Sequence, residues 1–138
     1  MPFEAGNFER LLGTAGFSDT LLKNHFTLYQ GYVNNTNKLA EQLDRMVKEG
    51  KTGLEFAELK RRFGWEFNGM RLHELYFGNM VKGGSKLERN SPVWKQMDKD
   101  FGATEDSWEK DFVAAGGMRG IGWAVWALDK QSGRTFNV

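Results

Sequence analysis

The 138 residues carry a net charge of +1 with acidic and basic side chains interspersed, so there is neither a basic stripe for nucleic acid nor a polybasic membrane patch. Cysteine is absent, which excludes disulfides, thiolate metal sites and cysteine nucleophiles. Eleven Phe and five Trp predict an aromatic interior in a chain long enough to bury one.

After an irregular opening without a basic-then-apolar leader, Ser18-Asp19 reads as a helix start, a capping hydroxyl followed by an acid. Apolar positions then recur at Leu21, His25, Leu28, Tyr32, Leu39, Leu43 and Met46, with a polar break at Thr36, until Glu49-Gly50-Lys51. A second long helix is expected over 54–81, with an inward stripe of Leu59, Phe63, Met70, His73, Phe77 and Met80. A short linker makes the pair an antiparallel hairpin. His25 near the start of one helix and His73 near the end of the other then lie at one level. These are the only two histidines, and both fall on inward faces. They are either satisfied core side chains or a ligand pair whose ring nitrogens approach within about 5 Å.

Beyond Gly83-Gly84, Ser91-Pro92 predicts a short helix through Trp94 and Met97. Thr104-Glu105-Asp106 predicts another carrying Trp108, Phe112, Val113 and Ala115. An aromatic strand is expected over 121–128, then a turn at Asp129–Gly133 and a second strand over 134–138. A two-stranded ribbon leaves open edges, which predicts association. The reading is an α+β chain with a helical hairpin over 1–84 and a smaller α/β portion with an incomplete antiparallel sheet over 85–138. No run is long and apolar enough for a membrane span, and a cytoplasmic location is the expectation. Gly120-x-Gly122 precedes a strand and not a helix, so it is no phosphate loop. Asp100, Glu105 and Asp111 read as helix-start or solvated carboxylates, and Glu74 as a surface residue.

Three stretches together resemble the iron/manganese superoxide dismutase family. They are Phe17-Ser18 with His25 and Tyr32-Val33-Asn34-Asn35; Asn68-Gly69 with His73-Glu74-Leu75-Tyr76-Phe77; and Asp100-Phe101-Gly102 with Trp108-Glu109-Lys110-Asp111-Phe112 and Gly120-Ile121-Gly122-Trp123. The resemblance implies that His25 and His73 are metal ligands, and that Tyr32 is the catalytic tyrosine beside the substrate channel. It makes Trp123 an aromatic wall of the metal pocket and superoxide the substrate. Manganese or iron would be the cofactor, with Gly69 leaning toward manganese.

The chain departs from the pattern in several places. His25 and Tyr32 stand one residue closer than usual, and Leu28 and Tyr29 replace the histidines that ordinarily follow the first ligand. Phe77 stands for the usual Trp. The Asp-x-Trp-Glu-His motif with the aspartate and third histidine ligands does not occur, so two of four protein ligands are expected outside this sequence. A homo-oligomer or a complementary C-terminal fragment is the implied partner. The alternative is a non-catalytic remnant of the same fold acting as an interaction module.

Overall fold

The structure is a computed structural model that describes residues 1–102 and 106–138. Thr104 and Glu105 of the expected helix start lie outside the described residues. The chain forms two compact units, Met1–Gly84 and Ser85–Val138. The architecture is α+β, with four helices and a two-stranded antiparallel sheet among the described residues.

In the first unit, α1 spans Asp19–Lys48 and α2 spans Leu54–Gly78, packed along one another as a hairpin. Ser18 accepts a hydrogen bond from the Leu21 amide and caps α1 as its sequence requires. At the turn, Gly50 adopts φ +70°, and the Lys51 amide returns to the Met46 carbonyl. The second helix ends at Gly78 with Asn79 as its cap, three residues before the expected Val81.

Over its first half the inward stripe of α1 has a different phase from the one expected, while Leu43 and Met46 are buried as the spacing predicts. Leu21 and Leu28 are 50% and 54% exposed, whereas Leu22, Tyr29, Val33, Thr36, Leu43 and Met46 are buried. Two apolar series, one residue apart, share this helix. The buried one meets Met70 and Phe77 of α2 and Leu11 of the preceding segment. His25 and Tyr32 consequently sit at the margin of the stripe, half-buried, and Thr36 lies wholly inside it.

The opening segment is ordered against the hairpin. The Phe3 amide donates to Asn37 Oδ1 at 2.8 Å, and Asn37 Nδ2 donates to the Phe3 carbonyl at 2.8 Å. A single 3-10 turn at Glu9–Leu11 buries Leu11. Arg10 donates to the Phe77 carbonyl in the last turn of α2 and to the Met80 carbonyl just beyond it.

In the second unit, α3 spans Pro92–Phe101 and α4 spans Ser107–Gly116. Ser91 caps α3 by accepting from the Trp94 amide, with Pro92 in its first turn. Strand β1 covers Trp126–Asp129 and β2 covers Arg134–Asn137, with Trp126 opposite Asn137. The expected strand over 121–128 therefore begins late. Gly120 and Gly122 punctuate its first part, and Val125 exchanges both backbone bonds with Val138 just before β1. Asp129 holds the turn by accepting from the Gln131 and Ser132 amides, while Gly133 takes φ +69°.

Asp100 is a structural pin and not a solvated carboxylate. Its Oδ2 accepts from the Thr135 amide, the Thr135 hydroxyl and Gln96 Nε2, at 2.6, 2.7 and 2.6 Å. These bonds, led by that of Gln96, hold its pKa down at about 2.

Candidate metal centre

The hairpin brings both histidines to one level, with ring centroids 4.9 Å apart and planes at 81°. His73 is 3% exposed. Its Nδ1 lies 2.6 Å from the Gly69 carbonyl one turn earlier. A carbonyl can only accept, so the proton resides on Nδ1 and the lone pair on Nε2, the tautomer a metal ligand needs. His25 packs edge-on to Phe77 and beside Tyr76, at 4.9 and 5.4 Å. Burial, and then the neighbouring His73, lower the His25 pKa from its ordinary value of 6.5, which favours the neutral, metal-competent ring.

Two tyrosines of α1, one helical turn apart, flank His73. Tyr32 lies 5.1 Å from it at 35°, and Tyr29 lies 6.1 Å from it at 33°. The Tyr32 ring presses directly on Gly69, where an added Cβ would stand 2.5 Å from two ring carbons. Glycine is required there because an aromatic ring meets the helix backbone, although it costs a helix interior about 1 kcal/mol against alanine.

Tyr29 and Glu74 were not legible as site residues. Tyr29 is buried, accepts from the Gly6 amide at 2.9 Å and donates to Glu74 Oε1 at 3.1 Å. Glu74, expected at the surface, is only partly exposed and is held from its other oxygen by Arg71 at 2.5 Å. The available signal was the three-residue spacing of Tyr29 and Tyr32, which puts both on the side of α1 that faces His73. Burial of a second carboxylate, Glu66, was also unforeseen. It pairs with Arg62 at 2.5 Å and accepts from Asn35 at 3.3 Å.

Two neutral imidazoles suit two coordination positions of a first-row metal ion. Among the described residues, no group of three or more His, Cys, Asp or Glu gathers into a site. The pair thus fits part of a metal centre, with the remaining donors to come from elsewhere. Trp123 belongs to the second unit, in the segment preceding β1.

No family model matches the chain. Among individual relatives, an iron superoxide dismutase of Aquifex pyrophilus is 35% identical over 126 residues, covering 86% of this chain and 57% of the relative. A manganese superoxide dismutase of Haloferax volcanii is 34% identical over 114 residues, covering 83% and 55%. The mitochondrial manganese enzyme of Eptatretus stoutii is 28% identical, covering 80% and 75%. Over most of its length the chain is thus similar to iron and manganese superoxide dismutases. It spans little more than half the length of the first two relatives.

Proposed function

We propose that the chain carries the two-histidine half of a superoxide dismutase centre, with His25 and His73 as ligands of manganese or iron. The observation that carries this reading is the pairing of the two rings, 4.9 Å apart, with the His73 proton held on Nδ1. Bound there, and completed by further donors, the ion would supply the electron exchange that converts two superoxide anions and two protons into oxygen and hydrogen peroxide. The chain's own contribution is geometric and electrostatic. Gly69 fixes the His73 tautomer through its carbonyl. Burial favours the neutral form of His25. Tyr32 closes the space beside His73 and presents a hydroxyl-bearing ring next to the ligand pair.

The remaining donors, an aspartate and a third histidine in the family pattern, are supplied on this reading by a complementary segment or a partner chain. The exposed Ile121, Leu128 and Phe136 of the second unit support an association surface, most simply a homodimer. Among the described residues no helix is long and apolar enough to cross a membrane. A cytoplasmic location is part of the proposal on the sequence grounds above. The second reading, an interaction module with the hairpin but no catalysis, draws on the presence of two donors where a competent centre needs more.

The deciding experiment measures metal content and superoxide decay of the purified chain after anaerobic loading with Mn(II) or Fe(II). It is run alone and with the C-terminal segment of the Aquifex pyrophilus enzyme. Weak metal retention alone, raised by the added segment and abolished in His25→Ala and His73→Ala, is the expected result. Equal retention by wild type and both variants would remove the metal-centre reading. Metal retention restored by the added segment without superoxide decay would favour the interaction module.

A further inference from the structure

The opening residues 3–10 are tied to the ligand-bearing helix at three separate points. Phe3 is locked to Asn37 by the reciprocal pair of bonds, and Arg71 stacks over its ring at 5.2 Å. The Gly6 amide donates to the Tyr29 hydroxyl, which itself donates to Glu74. Arg10 holds the carbonyls at the end of α2. All three ties reach residues 71–80, which span the last turns of α2, His73 among them, and the two residues that follow it. Tyr29 of α1 hydrogen-bonds to both this stretch and the opening segment while also packing its ring against His73.

We infer that Tyr29 is a positioning residue for His73, and that residues 3–10 act through it as a strap that sets metal affinity at the His25–His73 pair. The affinity part rests on the proposed metal reading; the positioning part does not. The mechanism is geometric. With the hydroxyl satisfied at both ends, the Tyr29 ring has one orientation, and the turn Arg71–Glu74 has one rotation about the α2 axis. His73 then presents Nε2 toward His25 in a single pose. With the hydroxyl removed, the Gly6 amide and Glu74 each lose a partner, and the turn bearing His73 gains freedom without any loss of apolar packing. Outer residues that orient a ligand typically carry a 10–100-fold effect on metal affinity, and an indirect one such as Tyr29 is expected at about 10-fold.

The test uses Co(II) as the probe, titrated by its visible absorption into the whole chain. Tyr29→Phe should weaken Co(II) binding by about 10-fold. Asn37→Ala, which releases Phe3, should weaken it in the same direction. The double variant should be no weaker than Tyr29→Phe alone, because the strap acts through the tyrosine. Thr27→Ala, which removes only a hydroxyl bond to the Lys23 carbonyl on the exposed side of α1, should bind as wild type. Leu43→Ala, in the buried stripe toward the far end of α1, should lower thermal stability at least as much as Tyr29→Phe and leave affinity unchanged. Wild-type affinity in Tyr29→Phe, additive losses in the double variant, or an equal loss in Leu43→Ala would overturn the inference. If the wild-type chain takes up no Co(II), the metal reading fails, and the positioning claim is decided in the metal-free protein. The Nδ1–H signal of His73 in nitrogen-15 NMR should be sharp in wild type and exchange-broadened in Tyr29→Phe. The same sharp signal in both would sink the positioning role.

Discussion

The two units are held together by different physics. Every buried apolar side chain among the described residues belongs to the hairpin unit: Leu11, Leu22, Tyr29, Val33, Leu43, Met46, Met70 and Phe77. Among the described residues of the second unit the one buried residue is Thr135, whose amide and hydroxyl both donate to Asp100. There, α3 is fastened to β2 through Asp100, and the β-turn through Asp129, alongside a Trp108–Phe112 stack and an edge-on contact between Trp108 and Trp126 at 5.7 Å. Apolar burial is non-directional and indifferent to mild acid, whereas carboxylate pins are directional and fail when protonated. The hairpin should therefore respond to cavities and the second unit to pH.

The largest effect is expected at Phe77. This ring is fully buried and meets Phe8, His25, Phe26 and Tyr29. Phe77→Ala should destabilise the hairpin by about 3–5 kcal/mol in urea unfolding followed by circular dichroism. A loss under about 1 kcal/mol would mean the hairpin is not core-dominated, which breaks the contrast.

Gly69 gives a smaller effect and sharpens the picture of the site. Gly69→Ala should cost about 1–3 kcal/mol by overpacking against the Tyr32 ring. In a Tyr32→Ala background the same change should become neutral or stabilising by up to about 1 kcal/mol, since alanine is the better helix former. A penalty that persists without the ring would place the conflict elsewhere.

The smallest effect at neutral pH, and the one that separates the units, is acid lability. Asp100 is held at about 2 against an ordinary 3.8, so its contribution is present in full above pH 3.8 and is lost as pH falls toward 2. Four of the five tryptophans lie in the second unit, so tryptophan fluorescence follows it. That signal should change between pH 4 and 2 in wild type, and Asp100→Asn should flatten the transition. An unchanged profile in the variant would show that the pin is not what acid undoes.

Much of the fold was already written in local patterns. The Ser18 and Ser91 caps and the antiparallel hairpin follow from spacing and terminal chemistry, which act over a few residues. The level shared by His25 and His73 follows from helix rise alone once the hairpin is accepted. What spacing could not decide was which of two overlapping apolar series on α1 faces inward. Leu21 and Leu28 fit a helical stripe as well as Leu22 and Tyr29 do, and only contact with Met70, Phe77 and the opening segment selects the second. The same holds for Tyr29, Glu74 and Glu66. A polar side chain is buried only when a partner from another element satisfies it, and Gly6, Arg71 and Asn35 are not periodic signals. The sequence by itself determined the helices, their pairing and the two imidazoles. The tertiary structure alone decided how His73 is aimed, because its tautomer and pose depend on a carbonyl and two tyrosine rings that converge only when the hairpin closes.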